Sequence, residues 1–122
     1  MAAYVTISET LSTDTHKRRL MAELDRLRQQ LATMDVQRVI LYGSLARGDV
    51  TIFSDIDLII VQETKARFLD RLEPFYTQLD PRTDVDFLVY TPDELADLAT
   101  WNPLVRRALQ EGKVIYENSD SV

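Results

Sequence analysis

Two aspartates separated by one residue are the side chains in this sequence best placed to do chemistry. Asp55 and Asp57 stand at the start of an apolar run that continues to Val61. Alternate side chains of an extended strand point to one face, so both carboxylates are expected on the same side of a sheet. Two carboxylates about 5 Å apart repel by roughly 3 kcal/mol at an effective dielectric of about 20. The pattern therefore favours a bound cation, and hard oxygen ligands select Mg²⁺ or Mn²⁺.

A glycine–serine step upstream supplies the other half of a nucleotide site. Gly43 and Ser44 follow an apolar segment, and ten residues separate Ser44 from Asp55. Glycine lets the backbone approach a phosphate closely, and serine adds a hydroxyl. The next three residues are typical of a first helical turn, whose free amides attract anions. Arg47 is interpreted either as a phosphate ligand or as a brace for the loop. We therefore predict that a nucleotide binds through Gly43, Ser44 and Arg47 together with its metal ion.

The order of these motifs resembles a known family. A strand, Gly-Ser, ten residues, Asp-x-Asp and a second strand form a pattern similar to that of the nucleotidyltransferase superfamily with the DNA polymerase β-like fold. The Gly-Ser-x-Ala-Arg-Gly sequence at 43–48 resembles its small stand-alone members, the minimal nucleotidyltransferases (MNT), which are paired with helical HEPN proteins as antitoxin and toxin. The resemblance covers about residues 17–117. It implies an α/β (α+β) core, a small mixed sheet of about four strands with helices packed mainly on one face.

A third carboxylate is implied by the same resemblance, from a neighbouring strand in an apolar-Asp-apolar context. The candidates are Asp84 and Asp86, which lie two residues apart and share a face of the strand, so parity does not separate them. Asp86 has apolar neighbours on both sides, whereas Asp84 follows Arg82-Thr83, so position favours Asp86. The resemblance thus implies Asp55, Asp57 and Asp86 as catalytic residues and metal ligands, the third accepting the proton of the attacking hydroxyl.

Composition limits the class of protein. The chain has 122 residues, which predicts one domain over 1–122, and it has no cysteine, which excludes disulfides and cysteine-ligated zinc. No basic segment followed by an apolar block opens the chain and no apolar run reaches the length of a membrane span, so we expect a cytoplasmic protein without membrane contact. A net charge of −6, from 20 acidic and 14 basic residues, disfavours binding of free nucleic acid.

Periodicity and capping residues place the remaining elements. The apolar run after Asp57 shows no polar alternation, so both faces of that strand must be covered. Pro74 is expected to kink or restart a helix, Thr91 and Asn102 to begin helices, and Gly112 to end one. Both termini are expected to be disordered. The residues predict a helix over about 15–34 and another over 68–79, further helices that begin at Thr91-Pro92 and at Asn102-Pro103, and strands over about 37–42, 56–62, 84–90 and 114–116.

Other conspicuous side chains have ordinary interpretations. His16, the only histidine, begins an amphipathic helix amid charges, which favours a surface role over a catalytic one. Phe53 and Trp101 are interpreted as core or loop packing in preference to platforms for stacking bases. Arg106 and Arg107 form a small basic spot, interpreted as a solvated surface in preference to a contact with nucleotide or partner.

The function implied by the resemblance is transfer of AMP from ATP to a hydroxyl, expected to be a tyrosine, of a partner HEPN toxin. Larger enzymes similar to this core add a second domain that holds the acceptor. Because the chain ends close to the last predicted strand, we expect another polypeptide or subunit to present the acceptor. Two alternatives remain open: an antitoxin that neutralises its partner by binding alone, and a nucleotidyltransferase for a small-molecule or RNA acceptor. The sequence leaves homo-oligomerisation open.

Overall fold

A mixed β-sheet positions the candidate site. The computed structural model describes residues 2–118, and within that range four strands pair in the order β3-β2-β1-β4. The strands are β1 Arg38–Tyr42, β2 Ile56–Val61, β3 Val85–Tyr90 and β4 Lys113–Glu117. The helices are α1 Ala2–Leu31, α2 Gly43–Arg47, α3 Leu72–Leu79, α4 Pro92–Trp101 and α5 Pro103–Glu111, and a 3₁₀ turn, Phe68–Arg71, precedes α3. This is the predicted α+β architecture with a mixed sheet of four strands.

The directions of the strands follow from their connections. β1 pairs antiparallel with β2 and with β4, whereas β2 and β3 are parallel. A parallel pair needs a crossover connection, and here the segment containing α3 supplies it. In the parallel register, Ile56 lies opposite Val85 and Asp57 lies opposite Asp86. The first residues of the central strand β2 and of the edge strand β3 are therefore brought to the same end of the sheet.

Helices cover both faces of the sheet, unequally. The larger buried cluster joins α1, α2 and α3 to one face, where Leu58 and Ile60 of β2 point. The smaller cluster joins α4 and α5 to the other face, where Ile59 and Val61 point. The apolar run of β2 correctly predicted cover on both sides, since its last four residues are all buried. The prediction of helices mainly on one face describes the larger cluster, while α4 and α5 close the second face.

Most predicted helix boundaries are confirmed by their caps. The Thr91 side chain accepts a hydrogen bond from the Glu94 amide and the Glu94 carboxylate accepts one from the Thr91 amide, which is the predicted capping box with Pro92 inside it. Asn102 caps α5, which Gly112 ends. Pro74 lies in the first turn of α3, where its missing amide costs no helical hydrogen bond.

The start of α1 was predicted wrongly. The polar residues 12–14 resemble a cap, yet the backbone is already helical from Ala2, so these residues lie inside the helix. A capping residue marks a helix start only where the preceding backbone is non-helical. The expected disorder of the termini stays a prediction, and Met1 and residues 119–122 lie outside the described residues. Among residues 2–118, no helix is both long and apolar enough to cross a membrane.

Candidate active site

Two carboxylates from adjacent strands form the centre of the site. Asp57 and Asp86 are direct register partners in the parallel β2–β3 pair, on the face that α4 and α5 cover further along. Burial, followed by the negative charges of Asp86 and Asp55, raises the pKa of Asp57 to about 6. A hydrogen bond between the Asp57 and Asp86 side chains also raises the pKa of Asp57. The structure thus concentrates negative charge at the start of these two strands.

Asp55 and Asp84 flank this pair differently. Asp55 is half-buried just before β2, and its charge acts on Asp57. Asp84 is exposed and precedes β3, and its backbone carbonyl accepts a hydrogen bond from the Ile56 amide at 3.2 Å. Among residues 2–118 no three His, Cys, Asp or Glu side chains stand together as a ready-made metal cluster. Asp57 is therefore the member of the predicted trio whose pKa is raised by the charges of both others. Of the two candidates near β3, Asp86 is the one that lies beside it.

Gly43 lies against the Asp57 carboxylate. Its φ of 76° falls in the left-handed region that favours glycine, at the junction of β1 and α2. A Cβ added at Gly43 would overlap the Asp57 Oδ2 atom. Gly48 also has a positive φ, of 85°, and ends α2, but a Cβ there would meet nothing within 4 Å. Only Gly43 therefore combines an unusual backbone conformation with close approach to the candidate ligand.

The hydroxyl of Ser44 belongs to a short polar network. Ser44 Oγ donates to Ser54 Oγ at 2.8 Å, and Ser54 Oγ accepts from the Thr51 amide at 2.8 Å. His16 Nε2 donates to the Ser54 carbonyl oxygen at 2.7 Å. Ser54 is buried and was missed in the sequence, although it directly precedes Asp55. His16 is half-buried and contacts the site loop, a role that its interpretation as a surface histidine did not include; no local pattern indicates a contact 38 residues away.

Arg47 is held as a brace. Its guanidinium pairs with Asp49 at 3.3 Å and with Glu111 at 3.5 Å, and Glu111 also pairs with Arg107 at 3.0 Å. A hydrogen bond to Asp49 is the main cause that raises the pKa of Arg47. The positive charge still lowers the pKa of Asp57, against the larger effects of burial and neighbouring carboxylates. Arg47 was interpreted either as a phosphate ligand or as a brace for the loop, and its ion pairs support the second interpretation.

An open pocket of about 480 Å³ joins these residues. This volume lies within the usual range of ligand-binding pockets. Phe53, the aromatic residue of its lining, has 85% of its surface exposed, and Trp101 is 60% exposed. The prediction that these two aromatic side chains pack in the core or a loop is therefore wrong. The pocket is lined by Gly43, Ser44, Arg47, Asp49, Thr51, Phe53, Ser54, Asp55 and Asp57.

Comparison with protein families identifies the family to which this fold belongs. The family described as polymerase beta, nucleotidyltransferase matches residues 25–121. The chain belongs to the polymerase beta nucleotidyltransferase family. The match contains all of β1 to β4 and every candidate carboxylate, and it begins after His16. No curated protein matches the chain.

Solved structures share the fold of this nucleotidyltransferase domain. A candidate nucleotidyltransferase from Sulfolobus solfataricus is 21% identical, with a TM-score of 0.61 and coverage of 88% of both chains. A toxin–antitoxin structure with AMP-PNP is 23% identical, with a TM-score of 0.51, over 80% of this chain and 72% of that one. At these identities the likeness establishes the polymerase β-like architecture.

Proposed function

We propose that this nucleotidyltransferase is an MNT antitoxin that transfers AMP from ATP to a tyrosine hydroxyl of a HEPN toxin, in the cytoplasm and with a divalent metal ion. The observation that carries the proposal is the register of β2 and β3, which sets Asp57 and Asp86 side by side at the mouth of the Gly43–Ser44 turn. Like charges held together in this way are typical of functional sites, where binding of a cation or of a proton is required.

The donor set fits Mg²⁺ or Mn²⁺. Asp57 is the ligand that the glycine turn leaves room for, and Asp86 and Asp55 supply the other carboxylates. When bound, the metal would neutralise charge on the phosphates. Among the described residues that line the pocket, Arg47 is the one basic side chain, and it is already paired with Asp49 and Glu111.

The chain's own residues would orient the reaction. The open pocket and the free amides at the start of α2 favour the triphosphate, with Gly43 permitting close approach. The acceptor oxygen attacks the α-phosphorus, the bond from that phosphorus to the bridging oxygen breaks, and pyrophosphate leaves. Asp86 takes the proton of the acceptor hydroxyl, as its exposed position beside Asp57 allows. Most of the rate gain would come from positioning and charge, as is general for phosphoryl transfer.

A toxin partner is supported by likeness of fold to the toxin–antitoxin structure and by the MNT-like sequence at 43–48. The acceptor is therefore sought first in the protein encoded by an adjacent reading frame. The competing function, neutralisation by binding alone, is favoured by one observation: within residues 2–118 the acids do not form a complete cluster.

Transfer is tested with ATP labelled at the α-phosphate, Mg²⁺ and the purified toxin. We expect label on the toxin with the wild-type protein and at least a 100-fold loss with Asp57→Asn or Asp86→Asn, because each variant removes one carboxylate of the pair. Asp84→Asn is the matched control, since Asp84 lies on the same segment but outside the pair, and it should keep most activity.

The outcomes separate the two functions. Label that is equal with wild type and Asp57→Asn would show that the pair is not catalytic. Toxin that is neutralised without any transfer of label, with wild type and both variants alike, would establish an antitoxin that acts by binding alone.

A further inference from the structure

Phe53 occupies a position that folding stability does not explain. It is 85% exposed, although full burial of a phenylalanine contributes about 1.5–3 kcal/mol to stability. It also lines the pocket that contains Gly43, Ser44 and the candidate metal ligands. An exposed aromatic side chain at the rim of a polar pocket offers one flat apolar surface there, and the other lining residues are small or polar.

The turn that carries Phe53 is fixed by hydrogen bonds on both sides. The Phe53 amide donates to Thr51 Oγ1 at 3.2 Å, and the Ser54 amide donates to the Thr51 carbonyl at 3.1 Å. The Ser54 hydroxyl ties the turn to Ser44, and His16 holds the Ser54 carbonyl from α1. The ring is therefore presented by an ordered backbone that is linked directly to the glycine–serine step.

We propose that Phe53 is the stacking platform for the nucleobase of the bound nucleoside triphosphate. The inference rests on the proposed function, because it assigns a base-binding residue to the same nucleotide pocket. An aromatic ring held in advance on a rigid turn loses little conformational entropy when a base stacks on it. Stacking tolerates any base, since each has a π-face, so Phe53 provides affinity for nucleotides without selecting among them.

The nucleobase is favoured over the ring of an acceptor tyrosine by the composition of the pocket. Phe53 shares its cavity with Ser44 and with Asp57, the elements expected to meet the triphosphate and its metal. Ser54, the next residue in the chain after Phe53, accepts a hydrogen bond from Ser44, so the ring lies close to the glycine–serine step. A base tethered to that triphosphate is delivered to Phe53 in every binding event, whereas an acceptor ring needs the partner.

Binding is tested by calorimetry with two ligands in the presence of Mg²⁺: α,β-methylene-ATP, which cannot transfer AMP, and inorganic tripolyphosphate, which has no base. We expect Phe53→Ala to weaken the nucleotide about 5-fold to 100-fold, the range of one base–aromatic stack, and to change tripolyphosphate less than about 2-fold. Phe53→Trp should restore nucleotide affinity, because it keeps a stacking face. Ile52→Ala is the matched control on the same turn; Ile52 is 51% exposed and does not line the pocket, so it should change neither ligand.

Each other result overturns the assignment. An unchanged nucleotide affinity in Phe53→Ala would exclude base stacking. If toxin modification were lost in the same variant, Phe53 would be assigned to binding of the acceptor instead. Equal weakening of both ligands would mean that the variant damages the turn. If wild type binds neither ligand with Mg²⁺, the proposed function fails together with the platform, whereas failure of Phe53 alone leaves the proposed function intact.

Discussion

Strand β3 has a charged arrangement near each end, and the two are built in opposite ways. Near its start, Asp86 faces Asp57, and burial and like charge raise the pKa of Asp57 to about 6. Near its end, the buried Arg71 donates to the Val89 carbonyl at 3.1 Å and to Glu94 at 2.6 Å. The Arg71 hydrogen bond is the main cause that lowers the pKa of Glu94 to about 2. A pair of opposite charges, Arg71 and Glu94, thus lies near one end of β3, and a pair of like charges, Asp57 and Asp86, lies near the other.

The difference teaches how to separate structural from functional charge in this molecule. Arg71 also donates to the Ala66 carbonyl at 2.9 Å, and its guanidinium lies 5.9 Å from the Phe68 ring centre. These contacts stabilise the charged guanidinium and offset the cost of burying it. Around Asp57, burial and two acids destabilise the charged form, and Arg47 offsets this only in part. We therefore expect substitutions at the first location to affect stability and those at the second to affect activity.

The strongest test of this contrast is Arg71→Leu. It removes the donor to the Ala66 and Val89 carbonyls and the counterion of Glu94, whose side chain is 41% exposed, so the free energy of unfolding should fall by about 2–3 kcal/mol. Arg67→Leu on the same 3₁₀ turn region is the control, because the Arg67 side chain is 90% exposed and its ion pair with Asp70 is worth less than about 1 kcal/mol. Urea denaturation measures both. Equal losses would show that burial of Arg71 adds nothing.

A second test compares two glycines with similar backbone conformations. Gly43→Ala and Gly48→Ala should each lower stability by about 1–2 kcal/mol, because alanine is disfavoured at positive φ. Only Gly43→Ala places a methyl group in the position of the Asp57 carboxylate, so only this variant should also lose metal-dependent nucleotide binding. Denaturation and calorimetry on the same samples give the two values. Normal nucleotide binding by Gly43→Ala would contradict the role assigned to its contact with Asp57.

Asp57→Asn should reverse the usual effect of a mutation on stability. Without metal, in the presence of a chelator, removing one charge from the Asp57–Asp86 pair should raise the free energy of unfolding by on the order of 1 kcal/mol while transfer activity is lost. Asp84→Asn, outside the pair, should leave stability within about 0.5 kcal/mol. A destabilised Asp57→Asn would mean that the carboxylate is structural, like the pair at Arg71.

The smallest effect concerns acid. Glu94 titrates at about 2 in the folded chain against an ordinary value of 4.5, so its contribution to stability is present above pH 4.5 and is lost as the pH falls towards 2. Glu94→Gln keeps a capping side chain but has no charge to titrate. The difference in unfolding free energy between wild type and variant should therefore shrink between pH 4.5 and 2, measured by urea titration at several pH values. A difference that is independent of pH would refute the coupling to Arg71.

Local sequence patterns were sufficient to predict most of the fold. The capping residues Thr91 and Asn102 fixed α4 and α5 because caps act over a few residues, and the unbroken apolar run after Asp57 predicted a strand covered on both faces. The family resemblance, which rested on residues 43–57, predicted the mixed sheet. Parity placed Asp55 and Asp57 on one face but left Asp84 and Asp86 unresolved, since only the register of β2 against β3 decides which lies beside Asp57.

The features missed in the sequence depend on contacts between distant segments. His16 and Ser54 are 38 residues apart, and nothing near either residue indicates their hydrogen bond. Phe53 is exposed because the turn made by Thr51 and Ser54 places its ring at the rim of the pocket and not in the core. Apolar residues in loops are expected to pack by default, so an exposed one is visible only in three dimensions.

The contact made by His16 has a practical consequence for work on shortened forms of this protein. The family match begins at residue 25, so a fragment cut at that boundary would retain β1, the glycine turn and all the candidate acids. It would nevertheless lose the imidazole that anchors the loop in front of Asp55. Such a fragment would keep all the candidate acids but lack this hydrogen bond to their loop. Assays of the fragment would therefore underestimate the nucleotide affinity of the intact chain.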